Sequence, residues 1–402
     1  MPLIAEVVPG VRSAALTWFL PIGSGHDTAD REGLSTLLSE LVFRGAGSMT
    51  SRQQADALDA LGLSRGCDNG GHFLRLSASM VSDKMLPALS LLTDIVRHVR
   101  LDAEHLPPAK DLAQQALSGI QDDPQTQAGI LLGERFNPLP LNRSGMGNAE
   151  GIAAVTRDDL VAAWARHVRP RGSILAVAGH VNPTEIAAHL NRLLQGWEGE
   201  SPLLSLTRNP QRDSYHHKQD DDASQVQIFL AHDAPAEIHA DSIHERIVMA
   251  VLGGGSSARL FTEVREKRAL CYSVHAGYAA EKSHGRVTGY VGTTPEKAQQ
   301  SLDVMIEQLR KMQTEAGRAT ENEFSRAVVG FKTKLIFSGE STAARAASLA
   351  TDYYRLGRAR SLAEIAAQIN AVSLPEINAY LGRRSIGNLT VVTLGPKELV
   401  MS

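Results

Sequence analysis

The chain repeats one succession of elements near the end of each half, and this repeat constrains its fold more than any other feature. In the first half, residues 155–160 open a helix that is followed by the apolar run 174–179 and by Pro183. In the second half, residues 372–377 open a helix that is followed by the similar run 389–396. Such self-similarity over 402 residues indicates an internal duplication. The sequence therefore predicts two related units, each a mixture of strands and helices.

A change of composition marks the predicted boundary between the halves. Small and polar residues, with an acidic run at 220–222, dominate the stretch that ends at Ala223. This composition predicts a linker over 201–223, a first domain over 1–200 and a second over 224–402. The pair His216 and His217 lies within this linker. It could bind a metal adventitiously, but a solvated linker is the simpler interpretation.

Several elements can be predicted from local patterns. Thr50 and Thr156 each precede a helical stretch and are expected N-caps. Residues 73–79 alternate between apolar and other side chains, which predicts a strand and leaves a position at the edge of a sheet open. The other predicted elements are strands over 13–20, 173–179 and 225–231 and helices over 85–99, 106–120 and 183–197.

The composition excludes several classes of partner and compartment. The formal charge of −3 gives no reason to expect nucleic acid or an anionic membrane as partner. The sequence has two cysteines, Cys67 and Cys271, and neither is part of a Cys-x-x-Cys motif, which argues against a disulfide framework and a thiolate metal site. We see neither a signal peptide nor an apolar run of the ~20 residues that a membrane span needs. These features predict a cytoplasmic protein, with the periplasm left open if the sequence is trimmed.

The first helix of the chain carries a buried stripe in a recognisable frame. Leu34, Leu37, Leu38, Leu41 and Val42 follow the spacing of one helical face. Glycines precede and follow this stripe, as expected for the ends of a helix.

This frame resembles the zinc-binding helix of the M16 (pitrilysin, insulinase and processing-peptidase) metallopeptidases, Gly-Leu-x-His-x-x-Glu-His-x-x-Phe-x-Gly. The glycines, leucine and phenylalanine of that pattern match Gly33, Leu34, Phe43 and Gly45. The four functional positions of the family fall on Thr36, Ser39, Glu40 and Ala116. A catalytic zinc needs three protein ligands and a carboxylate that takes a proton from water. One carboxylate and two hydroxyls do not meet that need, so no metal and no cofactor are expected in this chain.

A second resemblance lies in the other half. Residues 257–274 are similar to the M16 motif Ser-Arg-Leu-Phe-x-x-Val-Arg-Glu-x-x-Gly-Leu-x-Tyr-Ser, with Ala269 where the family prefers glycine. In that family an arginine and a tyrosine seven residues apart complete the active site and stabilise the oxyanion. The matching residues here are Arg265 and Tyr272. The simpler alternative is that Arg265 caps a helix while Tyr272 packs in a strand.

The resemblance covers essentially the whole chain and implies an α+β fold of two homologous domains, arranged as a clam-shell that encloses a peptide. In the family, an edge strand that matches residues 73–79 pairs with extended peptide. Some bacterial M16 peptidases are heterodimers in which one subunit has the zinc motif and the other the Arg/Tyr pair. The chain resembles the second kind, so a zinc-bearing, sequence-related partner is expected. It is expected to be inactive alone, and a homodimer of the isolated chain is left open. The alternatives are an inactive scaffold and a peptide-binding protein.

Other enzyme classes find little support. The run 253–257 is rich in glycine but lacks the lysine of a phosphate-binding loop, so a flexible turn is the better interpretation. Cys271 could be a nucleophile, although a small buried thiol is the more ordinary role for it.

Overall fold

The computed structural model describes residues 1–401, which form two compact units. Unit 1 comprises Met1–Gly119, Pro138–Arg208 and Ser338–Ala359. Unit 2 comprises Ile120–Asn137, Asn209–Phe337 and the chain from Arg360 onward. No helix within residues 1–401 combines the length and the apolar character needed to cross a membrane.

Twelve strands occur in the described residues. They are β1 (Leu3–Val7), β2 (Ser13–Leu20), β3 (Gly45–Ala46), β4 (Met49–Thr50), β5 (Ser64–Asn69), β6 (Leu74–Val81), β7 (Ile174–Gly179), β8 (Tyr215–Gln219), β9 (Val226–Ala234), β10 (Cys271–Ala280), β11 (Gly285–Thr293) and β12 (Thr390–Gly395).

Fourteen α-helices accompany them within residues 1–401. They are α1 (Leu34–Leu41), α2 (Ser51–Ala60), α3 (Met85–Arg97), α4 (Leu106–Ile120), α5 (Pro124–Phe136), α6 (Ala149–Ala154), α7 (Arg157–His167), α8 (Pro183–Leu193), α9 (Ser242–Gly253), α10 (Ala298–Lys311), α11 (Glu321–Glu340), α12 (Thr342–Leu356), α13 (Leu362–Ala371) and α14 (Leu374–Arg383). Thr50 and Thr156 form capping boxes at α2 and α7, as predicted.

The sheet of unit 1 has the order β1-β7-β2-β6-β5, with β1 parallel to β7 and the other pairs antiparallel. Strand β2 lies in its middle and is buried from Ala14 to Leu20. Leu16, Trp18 and Leu20 enter the main core, whereas Ala15 and Phe19 belong to a second cluster on the opposite face. Side chains of a strand alternate between faces, so β2 has apolar residues at both sets of positions because both faces are covered.

The sheet of unit 2 has the order β10-β11-β9-β12-β8, the same order counted from the other edge. In each unit the first strand of the sheet lies parallel to the last, at one edge. The hairpin β5–β6 has its counterpart in β10–β11 at the other edge. The duplication predicted from the sequence is therefore present in the topology: the fold is α+β and is built from two related units.

Each unit takes one helix from the opposite half of the sequence. Helix α12 packs on β2 and β7 of unit 1, and α5 packs on β9 and β12 of unit 2. Arg345 of α12 is 1% exposed and forms a two-pronged ion pair with Glu6 of β1, with both N–O distances at 2.6 Å. The division of the chain thus differs from the simple boundary at 201–223.

Two strands differ from their prediction. Residues 215–219, placed in the linker, form β8 and pair with β12. Its polar sequence Tyr-His-His-Lys-Gln lacks the apolar content expected of a strand, because it lies at an edge. The strand predicted over 73–79 is β6, which lies between β2 and β5 and is not an edge. The edge is β5, whose residues 64–69 are polar and show no alternation.

Candidate functional site

Helix α1 begins under a buried carboxylate. Asp27 accepts hydrogen bonds from the amide of Gly33 (2.9 Å) and from the amide and hydroxyl of Ser35 (3.0 Å each). Burial raises the pKa of Asp27 to about 6, although these hydrogen bonds oppose the rise. Gly33 has φ +107°, and a Cβ there would lie 2.5 Å from Ile152. The glycine of the zinc-helix frame is therefore required by backbone conformation and packing.

The first of the four zinc-site positions belongs to a polar network. The Thr36 hydroxyl donates to the carbonyl of Gly145 (2.8 Å) and accepts from the amide of Asn69 (3.1 Å). Asn69, the last residue of β5, also donates to Gly145 and to Ser35. This network fastens α1 to the sheet edge and to the loop around Gly145.

The other three positions are likewise unsuited to zinc. Ser39 donates to the carbonyl of Thr36, and Glu40 pairs with Arg44 one helical turn away. Ala116 lies on an exposed part of α4. Within residues 1–401, no three histidine, cysteine or acidic side chains cluster as metal ligands would. The donor set at these positions does not fit zinc, which needs imidazole, thiolate or carboxylate ligands.

Arg265 and Tyr272 lie next to each other in unit 2. Arg265 lies in the π-helical turn Phe261–Glu266, and Tyr272 is the second residue of β10. The guanidinium carbon of Arg265 lies 4.9 Å from the centre of the Tyr272 ring and 4.7 Å from that of Phe261. Stacking between two rings fixes the orientation of the guanidinium. Arg265 and Tyr272, seven positions apart in the sequence, are therefore in contact.

The turn that joins the two residues contains Ala269. The amides of Ala269 and Leu270 donate to the carbonyls of Arg265 and Val264, both at 3.0 Å, which closes the helical end. Ala269 has φ +49°, the left-handed conformation that favours glycine. For alanine this conformation costs about 1–2 kcal/mol. The departure from the family motif therefore strains the turn while its geometry is kept.

The pair presents donors to solvent. Tyr272 is 81% exposed, and among residues 1–401 no carboxylate forms an ion pair with Arg265. The neighbouring cations Lys267 and Arg268 instead both bind Glu263. A fixed guanidinium and a phenolic hydroxyl side by side can donate hydrogen bonds to a carbonyl oxygen that acquires negative charge.

An ion pair that no sequence pattern predicts anchors this segment. Arg259 binds both carboxylate oxygens of Glu323 and also donates to the carbonyls of Gly317 and Arg318. Burial works against ionisation of Glu323, but Arg259 outweighs it and holds the pKa at about 2. Arg259 is part of the motif that resembles the M16 family. Its partner lies 64 residues away in sequence, so no local pattern could reveal the pair.

The structure shows what surrounds two other candidates from the sequence, the Cys271 thiol and the histidine pair. Burial raises the pKa of the Cys271 thiol to about 11, although the charge of Arg265 opposes the rise. A thiol that stays protonated at neutral pH is a poor nucleophile. His217 hydrogen-bonds with Thr393 and Gln219, and His216 with Ser214. The histidine pair therefore takes part in the pairing region of β8 and β12.

Comparisons with known proteins agree with this fold. The model described as "Insulinase (Peptidase family M16)" matches residues 4–145, and "Peptidase M16 inactive domain" matches residues 154–330. The chain belongs to the M16 peptidase family.

Relatives with similar sequences are named as zinc proteases. An uncharacterized zinc protease of Mycobacterium leprae is 25% identical, with 98% of this chain and 89% of the relative covered. Another from Bacillus subtilis is also 25% identical, with 94% and 91% covered.

Solved structures show the same fold at lower sequence identity. A peptidase M16 inactive domain from Pseudomonas fluorescens has a TM-score of 0.87 at 19% identity, covering 99% of this chain and 96% of its own. A protease from Helicobacter pylori has a TM-score of 0.87 at 15% identity, with 98% and 96% covered.

Proposed function

We propose that this chain is the non-metal-binding subunit of a heterodimeric M16 peptidase. It supplies Arg265 and Tyr272 to the active site of a sequence-related partner that carries zinc, and the two subunits together hydrolyse peptides. One observation carries the proposal. The Arg/Tyr pair is held in contact with its donors unused by any carboxylate of the described chain, whereas Thr36, Ser39 and Glu40 are engaged in structural bonds.

The contribution of the pair is electrostatic. Attack of water on a peptide carbonyl moves negative charge onto its oxygen, and the partner's zinc would activate that water. The Tyr272 hydroxyl and the Arg265 guanidinium stabilise the charged oxygen by donating hydrogen bonds to it. The guanidinium is already oriented between two aromatic rings, so little ordering remains to be done during the reaction.

Binding of extended peptide has a suitable surface in unit 1. Strand β5 has a neighbour on one side only, β6, and its free side offers backbone groups to an added strand. Such pairing tolerates many sequences because it uses backbone groups alone. We therefore propose residues 64–69, rather than 73–79, as the edge that pairs with peptide. We retain the cytoplasm as the expected compartment and expect neither nucleic acid nor a membrane as partner.

The test is peptide hydrolysis by the complex with a zinc-bearing M16 subunit. Tyr272→Phe removes the hydroxyl donor and Arg265→Ala removes the guanidinium. Loss of one oxyanion donor lowers kcat by about 10²–10³-fold in other hydrolases, and we expect a decrease in that range for each variant. Arg268→Ala is the matched control, because Arg268 binds Glu263 and contacts neither residue of the pair. Its kcat should stay near the wild-type value.

Wild-type kcat in both Arg265→Ala and Tyr272→Phe complexes would refute the catalytic role. If those complexes still assembled and bound peptide, the chain would be a scaffold or a peptide-binding subunit. If the isolated chain contained stoichiometric zinc and cleaved peptides, the assignment as a non-metal-binding subunit would be wrong.

A further inference from the structure

Unit 2 contains a cleft that neither the Arg/Tyr pair nor the zinc-site positions use. It has a volume of about 310 Å³ and lies among α9, β10 and α11. Its charged lining residues are Arg246, Glu323, Arg326 and Lys334. Small residues from the end of α9 and from the middle of β10 leave its interior open.

The cleft occupies the position in unit 2 that corresponds to the zinc-site positions of unit 1. Helix α9 follows β9 as α1 follows β2, and the two helices bury equivalent residues. Aligned in pairs, Ser35, Leu37, Leu38, Leu41 and Val42 match Glu245, Ile247, Val248, Val251 and Leu252. This alignment places Thr36 opposite Arg246 and Ser39 opposite Met249. Both Arg246 and Met249 line the cleft.

The helix that carries the third position has a counterpart too. Helices α4 and α11 each bury a single residue, Ala109 and Ala327. Aligning these two alanines places Lys334 at the position of Ala116. The duplication thus puts Arg246 and Lys334 where metallopeptidase relatives have metal ligands in the first half. The position that binds a metal cation in the first half of those relatives thus carries positive charge in the second half of this chain.

The cleft has more cationic side chains than carboxylates that are free to pair with them. Both carboxylate oxygens of Glu323 bind Arg259, and Glu237, which does not line the cleft, pairs with both Arg246 and Arg360. Within residues 1–401, neither Arg326 nor Lys334 forms an ion pair. Both side chains belong to exposed positions of α11. A concave surface with unpaired cations attracts anions.

We propose that this cleft binds the carboxylate of an acidic side chain of the peptide substrate, an inference that rests on the proposed peptidase function. Peptide is favoured because the cleft and the Arg/Tyr pair share strand β10. Ala276 lines the cleft four residues beyond Tyr272, about 13 Å along a strand. An extended peptide that contacts Tyr272 therefore reaches the cleft with a side chain about four residues away. Arg326 and Lys334 determine this specificity.

The test compares peptides that differ in one charge. Two fluorescent extended peptides, identical except for Glu or Gln at one position, are titrated into the full chain and followed by anisotropy. We expect the Glu peptide to bind about tenfold more tightly at low salt, since charge-assisted hydrogen bonds exceed neutral ones. The preference should shrink as ionic strength rises. The double variant Arg326→Gln/Lys334→Gln should bind both peptides equally.

Lys332→Gln is the matched control, because Lys332 is on the same helix and does not line the cleft. It removes one positive charge and should keep the preference. The charge reversal Arg326→Glu/Lys334→Glu should make a Lys peptide the tighter ligand, which a misfolded variant would not do.

Equal binding of Glu and Gln peptides by the wild-type chain would overturn the inference, and so would loss of the preference in Lys332→Gln. Failure to bind either peptide would overturn it as well. None of these results decides the proposed function, which depends on hydrolysis by the Arg265 and Tyr272 variants in the complex. Conversely, a Glu preference in a complex whose kcat ignores Arg265→Ala would support the cleft and refute the catalytic role.

Discussion

At the scale of single residues, His232 links folding of unit 2 to pH. It is 1% exposed; its Nδ1 lies 2.7 Å from the carbonyl oxygen of Asp233 and its Nε2 lies 3.2 Å from Arg384. Nδ1–H thus donates to Asp233 while Nε2 accepts from Arg384. Burial and the Arg384 charge lower the pKa of His232 to about 4, although Glu245 opposes the shift.

The sign of the pH dependence follows. The unfolded chain takes up a proton near the ordinary pKa of 6.5, while the folded chain resists until about 4. Stability contributed by neutral His232 is therefore complete above pH 6.5 and is lost as pH falls toward 4. The loss amounts to about 3 kcal/mol for a shift of this size.

As the pH falls from 7 to 4, we expect the free energy of unfolding of His232→Gln to decrease less steeply than that of the wild-type chain. Urea unfolding followed by circular dichroism measures this difference, and other titrating groups cancel in the comparison. The exposed His180 provides the control His180→Gln. If His232→Gln and His180→Gln had the same pH dependence, His232 would not be the source.

Ala269 shows a different use of a single residue. The alanine that replaces the family glycine could be expected to change the turn between Arg265 and Tyr272. The structure keeps the turn and places the strain at φ +49°. Packing on both sides of the turn compensates, since Leu270 is buried and Val264 is fully inside the core.

At the scale of elements, helices α5 and α12 each pack in the unit formed mainly by the other half of the sequence, and they contribute to the stability of that unit. All three tryptophans, Trp18, Trp164 and Trp197, belong to unit 1, so tryptophan fluorescence reports on that unit. Arg345 lies in the second half of the sequence but fastens α12 to the sheet of unit 1 through Glu6.

We expect Arg345→Ala to lower the stability of unit 1 by about 2–3 kcal/mol, because the carboxylate of Glu6 loses its partner in a partly buried position. The urea midpoint of the tryptophan transition should fall. Arg318→Ala is the control: it breaks the exposed pair with Glu315 in unit 2 and should leave the transition in place. An unchanged midpoint in Arg345→Ala would contradict the anchoring role.

The elements also show what the sequence could predict. The capped helices and the apolar strands β2 and β7 follow from local spacing and burial, and the sequence predicts them correctly. Strands β5 and β8 are polar because each lies at an edge, so periodicity does not reveal them. The positions of α5 and α12 depend on contacts with strands far away in sequence, which local patterns do not encode. The sequence does not predict the Arg259–Glu323 ion pair for the same reason.

At the scale of the whole molecule, the duplication explains why the zinc-site positions of unit 1 correspond to the cleft of unit 2. The two units share one order of strands, but the equivalent helices α1 and α9 have diverged at the positions that face their surroundings. In unit 1 the positions that match the family's zinc-binding pattern hold Thr36, Ser39 and Glu40, and in unit 2 the positions equivalent to Thr36 and Ser39 hold Arg246 and Met249. The buried faces of both helices are retained because they form the cores.

This organisation leads to a prediction about assembly. The isolated chain should contain no stoichiometric zinc, because residues at its zinc-site positions do not fit the metal. Mixed with an M16 subunit that has an intact His-x-x-Glu-His motif, it should form a complex with a single zinc ion per pair of chains. Sedimentation velocity measures the assembly, and elemental analysis measures the zinc.

Peptidase activity titrated against this chain should rise until the two subunits are equimolar and then level off, since in the proposed complex each active site uses the Arg/Tyr pair of one chain. A partner in which both histidines of its motif are replaced by alanine is the control, because it should assemble without zinc and without activity. Full activity of the zinc-bearing subunit alone would contradict the shared site, as would a homodimer of the present chain that resists exchange with that subunit.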